Sequence, residues 1–231
     1  MLEELRAQVC RANLELVEQN LVLFTFGNVS GIDRGKGLVA IKPSGVDYAE
    51  LSPHKMVLVA LADGRVVDGS LRPSSDTPAH LELYRAFPAI GGVTHTHSPW
   101  ATAWAQAGRD VPALGTTHAD YFRGAVPCTR RLRPEEAARD YEAQAGRVIA
   151  ERMKGLDPAE LPAALVAQHG PFTWGRDPAE AVHHAAVLER VCEMAFRTLE
   201  LNPAAAPLGR ELLDRHFLRK HGDQAYYGQG R

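Results

Sequence analysis

"MVLVALADGRVVDG", residues 56–69, holds two valine-rich runs separated by Asp63-Gly64. An Asp-Gly pair tolerates the positive φ angles of a tight hairpin turn, so this stretch predicts two antiparallel strands. Upstream, "FTFGNVSGIDRGKGLVAIKPSG" (24–45) predicts two further short strands around a turn at Gly35–Gly37. Two hairpins this early imply a sheet that is mixed or largely antiparallel, and no βαβ regularity, dinucleotide-binding or P-loop fingerprint contradicts this.

Helical periodicity surrounds these strands. Leu2, Leu5, Val9, Leu14 and Val17 predict an amphipathic helix over 2–19. In "SSDTPAHLELYRAF" (74–87), Asp76 or Thr77 can cap a helix whose first residue is Pro78. "AIGGVTHTH" (89–97) reads as a buried strand, and Ser98-Pro99 opens the helix "WATAWAQAG". Residues 134–154 predict a charged amphipathic helix, and "ALVAQHGPFTWG" (164–175) a strand pair broken at Gly170. Helices over 178–200 and about 208–221 follow, the last ending at Gly222. No repeat, low-complexity tract or long linker divides the 231 residues. The expected fold is α/β: one domain over 1–231, a three-layer α/β/α sandwich around a mixed, largely antiparallel central sheet.

Apolar residues make up 45% and charged residues 23% of the chain, with a net charge of −2. Acidic and basic residues are interspersed, which argues against nucleic acid as a partner. Cys10, Cys128 and Cys192 are odd in number and far apart, which excludes a disulfide framework and a cysteine zinc site. No stretch has the length of a signal-peptide core or a membrane span, so the expected location is the cytoplasm, with no membrane partner.

Ten histidines offer the first chemistry. On a strand, His95 and His97 point to one face, where they either ligate a metal or are simply half-exposed strand residues. His169 ends an apolar run before Gly170-Pro171, and Asp76 starts a helix after a polar loop. Three imidazoles and a carboxylate make a zinc shell with a position open to substrate; equally, an N-cap aspartate needs no metal. His80 is either an outer-shell residue or a surface one. His54 reads as exposed, and His183 and His184, adjacent on a helix, cannot chelate one ion together.

The loops "GNVS" (27–30), "KPSG" (42–45) and "PSS" (73–75) combine glycine, serine, asparagine and one lysine. Their amides, hydroxyls and the Lys42 ammonium can cradle a phosphate, though each alone reads as an ordinary turn. "GTTHADYFRG" (115–124) holds Asp120, a carboxylate able to act as a base near a metal, or a polar helix start with Thr or Asp as cap. Tyr226 and Tyr227, near the C-terminus, suggest a tail that docks on its own subunit or on a neighbour.

"PSSDTPAH" (73–80), "GGVTHTHS" (91–98), "GTTHADYFRGAVPCTR" (115–130), "QHGPFTWG" (168–175) and "RHFLRKHGDQAYYGQ" (215–229), in this order, resemble the zinc-dependent class II sugar-phosphate aldolase/epimerase family. The resemblance runs from the N-terminal helix to about Gln229. It implies a metal, Zn2+ or alternatively Mn2+ or Co2+, held by His95, His97 and His169 with Asp76 as fourth ligand or close neighbour. It implies a substrate phosphate held by Gly27, Asn28, Lys42, Ser44, Gly45, Ser74 and Ser75. Asp120 and Tyr227 match acid/base positions, and Thr116, His216 and Arg219 would be supporting residues of the substrate site, the last two also reaching a neighbour's site. The tyrosine, and the tail from about 222 to 231, would come from an adjacent subunit of a cyclic homotetramer with sites at subunit interfaces. Aldolases of the family typically carry glutamate where this chain has Asp76, so the resemblance implies a 4-epimerase that converts L-ribulose 5-phosphate to D-xylulose 5-phosphate by breaking and re-forming C3–C4. The family's alternatives are an aldolase such as that for L-fuculose 1-phosphate, an epimerase serving L-xylulose or ascorbate catabolism, or a non-catalytic scaffold.

Overall fold

Among the described residues, seven strands form one sheet: β1 (Asn28–Asp33), β2 (Leu38–Ile41), β3 (Val57–Ala60), β4 (Val66–Asp68), β5 (Gly92–His95), β6 (Ala163–Val166) and β7 (Gly170–Gly175). The helices are α1 (Glu3–Glu18), α2 (Thr77–Ala86), α3 (Pro99–Ala107), α4 (Thr116–Ala119), α5 (Pro134–Ala137), α6 (Tyr141–Arg152), α7 (Pro178–Leu201) and α8 (Arg210–His221). These come from a computed structural model, which describes residues 1–222 and 225–227. The tail expected to reach a neighbour thus falls partly outside the described residues, at 223–224 and 228–231.

Sheet order is β4-β3-β2-β1-β5-β7-β6. Every strand pair is antiparallel, as the two hairpins require. Side chains alternate between the two faces. On one face the register pair Gly92 and Gly175 leaves room for α7. A Cβ on Gly92 would lie 2.3 Å from the Asp177 carbonyl oxygen, and one on Gly175 2.8 Å from the Ala181 amide nitrogen. Only glycine permits that approach. α1 and α3 share this face with α7, and the Asn13 side-chain amide of α1 donates to the Val29 carbonyl of β1 at 3.1 Å. The opposite face carries Val93, Phe172 and Trp174 in a large apolar core with Leu83 and Tyr84 of α2 and Val148 and Ile149 of α6. Three layers result, with the sheet in the middle.

Some local expectations shift. In α1 the inward row is Val9, Ala12, Asn13 and Leu16, while Leu14 and Val17 are exposed. Of the expected row, Leu2, Leu5 and Val9 do pack inward, and only its second half departs from the buried face. The helix expected over 134–154 breaks in two, because Asp140 adopts a left-handed conformation (φ 51°) and restarts the chain at Tyr141. α2 begins at Thr77 rather than Pro78, and the Asp76 side chain makes no capping bond. No helix among the described residues is long and apolar enough to cross a membrane.

Candidate metal centre

β5 ends at His95, so His97 lies just beyond the strand rather than within it. The chain then turns directly into α3. The buried carboxylate of Glu189, from α7, accepts the Trp100 and Ala101 amides at 2.8 and 2.9 Å. Those are first-turn donors that the helix itself leaves unpaired. Nothing local in the sequence marks Glu189, which sits among charged residues of a long helix. Glu189→Ala should cost about 2–3 kcal/mol in urea unfolding, since two buried donors lose their partner; a change below about 0.5 kcal/mol would refute this role.

His169 lies in the turn between β6 and β7, past Gln168 at φ 65°. The β5–β7 register sets His95 opposite Phe172, whose ring stacks on the imidazole at 4.1 Å. His97 Nε2 stands 3.1 Å from Nε2 of both His95 and His169. His95 Nδ1 donates to the Pro171 carbonyl at 2.9 Å, which leaves the Nε2 lone pair free. His97 Nε2 carries at most one proton when neutral, so it cannot bond to both neighbours by donation alone. Two nitrogens bound to one tetrahedral zinc at ~2.0–2.1 Å would lie about 3.3 Å apart. The donor set and its spacing therefore fit a divalent cation.

Burial favours the neutral form of two of the imidazoles, those of His169 and His95. Burial pushes His169 down to about 3, helped by His95 and His97 and opposed by Asp76. Burial lowers His95 as well, against the pull of Asp76. Asp76 stands beside the triad rather than among its mutually close ligand atoms. Its Oδ2 accepts the Asn28 side-chain amide at 2.6 Å. Burial raises its carboxyl, but His95, His80, the Asn28 amide and His169 outweigh that and keep it below the usual carboxylate range.

His80, read from sequence as an outer-shell or surface residue, is fully buried. Its position on the inward row of α2, one turn past Asp76, explains this. His184 is also buried, within 2.7 Å of the Trp174 carbonyl, whereas His54 and His183 are exposed.

The three polar loops do converge. Pro43 bridges Pro73, the Ser44 amide donates to the Arg72 carbonyl at 3.0 Å, and the Ser74 amide to the Lys42 carbonyl at 2.9 Å. Tyr48 ties in the third loop by donating to the Phe26 and Gly27 carbonyls at 2.8 and 2.9 Å. Lys42 is buried, with Nζ 4.8 Å from the Tyr48 ring centre and 3.5 Å from the Thr25 and Pro43 carbonyls. Burial lowers its pKa, and contacts that long satisfy an ammonium poorly. Ser44, Gly45 and Ser75 are exposed beside it. A buried, under-satisfied cation among open serine loops is suited to an anion.

Asp120, Thr116, His216, Arg219 and Tyr227 gather elsewhere. Asp120 ends α4 rather than starting it, and no Thr or Asp side chain caps that helix. Arg219 binds the Asp120 carboxylate with two bonds of 3.0 and 2.7 Å, and His216 Nδ1 lies at 3.1 Å. The Asp120 amide donates to the Thr116 carbonyl at 2.9 Å, and the Arg219 guanidinium covers the Tyr227 ring at 4.9 Å. Burial raises the Asp120 carboxyl, but Arg219, His216 and Lys220 hold it below its ordinary value. The predicted site residues thus form two groups, one around the imidazoles and one around Asp120.

This chain belongs to the class II aldolase family: the model of the Class II Aldolase and Adducin N-terminal domain matches residues 7–196. Among its relatives, the L-ribulose-5-phosphate 4-epimerase UlaF of Salmonella paratyphi C (strain RKS4594) is 54% identical over 228 residues, covering 99% of this chain and 100% of that protein. The UlaF protein of Salmonella typhi is 53% identical with the same coverage. Of solved structures, an L-fuculose 1-phosphate aldolase shares the fold with TM-score 0.77 at 24% identity, covering 92% of this chain and 94% of that one. YgbL of Klebsiella pneumoniae shares it with TM-score 0.73 at 26% identity, covering 93% and 99%.

Proposed function

We propose that the chain is a metal-dependent isomerase, an L-ribulose-5-phosphate 4-epimerase whose product is D-xylulose 5-phosphate. The observation that carries this reading is the convergence of three imidazoles, with His97 Nε2 3.1 Å from Nε2 of both His95 and His169, in a chain 54% identical to an epimerase of that name. The lone carbonyl of the substrate does not acidify the C4 hydrogen, so deprotonation at C4 is a poor route. Breaking C3–C4 is better: the electron pair passes to the ketone fragment as an enediolate, and the C4 hydroxyl loses its proton to become an aldehyde. Adding the enediolate to the other aldehyde face restores both bonds with C4 inverted.

A divalent ion, zinc by preference, held by His95, His97 and His169 with Asp76 at their side, would supply Lewis-acid stabilisation of charge on the C2 and C3 oxygens. Lys42, with Gly27, Asn28, Ser44, Gly45, Ser74 and Ser75, would hold the phosphate so that glycolaldehyde phosphate turns without leaving. Asp120 and Tyr227 would exchange the hydroxyl proton on the two faces of C4. In this reading the Asp120 group, paired with Arg219 in its own chain and supported by Thr116 and His216, serves a neighbour's imidazoles in a cyclic homotetramer. The setting is cytoplasmic, and the chain is one domain with its tail reaching across.

Metal analysis of the purified protein, with a chelator-sensitive assay on L-ribulose 5-phosphate, tests the reading. Free glycolaldehyde phosphate accumulating in place of epimer would identify an aldolase instead. In D2O the product should carry almost no deuterium at C4, because the C4–H bond never breaks. Rapid incorporation there would exclude the C3–C4 route.

A further inference from the structure

Beside the imidazoles, β1 and α2 face each other with matched periods. Asn28 and Ser30 lie two residues apart on one side of the strand. Asp76, His80 and Tyr84 lie four apart on one row running up α2. The rows meet in three rungs. The Asn28 amide reaches Asp76 at 2.6 Å, the Ser30 hydroxyl stands 2.7 Å from His80 Nδ1, and it stands 2.9 Å from the Tyr84 hydroxyl. Asn28, Ser30, His80 and Tyr84 are each no more than 2% exposed.

Apolar side chains would hold a helix on a sheet at least as firmly as this. A sealed polar network costs desolvation and brings, in return, a fixed register along the strand. What that register sets is the start of α2, where Asp76 makes no capping bond and, among the described residues, its carboxylate accepts a hydrogen bond only from Asn28. Two buried atoms at the same end, Asn28 Oδ1 and His80 Nε2, have no hydrogen-bond partner among the described residues. Asn28 bonds Asp76, and His80 lies one turn past it on the same row, so both unpaired atoms belong to residues flanking the Asp76 carboxylate.

We infer that Ser30, His80 and Tyr84 are positioning residues, which fix the Asp76 carboxylate relative to the three imidazoles and so set the affinity and geometry of the bound metal. This rests on the metal reading given above. Residues hydrogen-bonded directly to a ligand, as Asn28 is to Asp76, typically affect metal affinity by ~10–100-fold, and these three act through the placement of α2 against β1.

The test is Co2+ titration of the metal-free full-length protein, with its visible absorption recording coordination geometry. Ser30→Ala and His80→Phe should each weaken Co2+ binding about 10-fold or more and shift the visible bands, while the far-UV circular dichroism stays that of the parent. Tyr84→Phe, which removes one hydroxyl at the far rung, should act in the same direction with a smaller loss. If His80→Phe does not fold, Ser30→Ala and Tyr84→Phe still decide, each deleting a single oxygen. Parental affinity and an unshifted spectrum in Ser30→Ala would overturn the inference. Failure of the unsubstituted protein to bind Co2+ at all would instead overturn the metal reading.

Discussion

His97→Asn is expected to lose its metal and at least about 1,000-fold in turnover, equivalent to roughly 4 kcal/mol of transition-state stabilisation. His97 is the middle member of the triad, with its Nε2 at 3.1 Å from both others. Asparagine is too short to bring its amide to that point, and an amide oxygen is a weak ligand for a cation that prefers imidazole. Two imidazoles would then remain, too few to retain a zinc ion against dilution. The side chain of His97 is exposed, unlike that of His95. Its replacement should therefore leave the urea midpoint of the metal-free protein near the parental value, which separates metal loss from unfolding. A variant with full zinc content and normal turnover would remove His97 from the site.

The second large effect is a recovery. Asp120→Asn should be nearly inactive alone, since it removes a proton acceptor and one charge from a cluster containing Arg219 and Lys220. His97→Asn should be inactive for a different reason, on the other group of residues. If each site combines imidazoles from one subunit with Asp120 from its neighbour, co-refolded equal mixtures of the two variants should regain about a quarter of parental activity. Half of the imidazole groups are intact in such a mixture, and half of those face an intact Asp120. Sites formed within single subunits would regain nothing. The two residue groups share no hydrogen bond among the described residues, and each variant damages only one of them, which makes the mixing experiment informative.

How much of this was legible beforehand follows the range of the interactions. The Asp63-Gly64 hairpin and the paired strands around Gly35–Gly37 form as expected, since turn chemistry and alternation act over a few residues. His95, His97, His169 and the three phosphate-type loops were also visible, as residue types at strand ends and turns. Their convergence was not. His169 reaches His97 only because β7 pairs with β5 across a long stretch of chain. The break at Asp140 escaped the helical pattern because a single left-handed residue leaves the apolar period almost unchanged.

Residues whose importance depends on distant partners were the least readable. Glu189 looked like one of many charges on α7, and its value lies in two amides on α3. His80 could equally have faced water, until α2 was laid on β1. By itself the sequence determined the antiparallel sheet, the helices around it, the ligand types for a metal and the loops suited to a phosphate. Local backbone preference and side-chain chemistry are enough for those. Tertiary structure alone decided that three imidazoles share one point, that Asp76 is aimed by Asn28, and that Asp120 is paired with Arg219. Those facts depend on sheet register and helix docking, and packing between distant segments leaves no local periodicity to read.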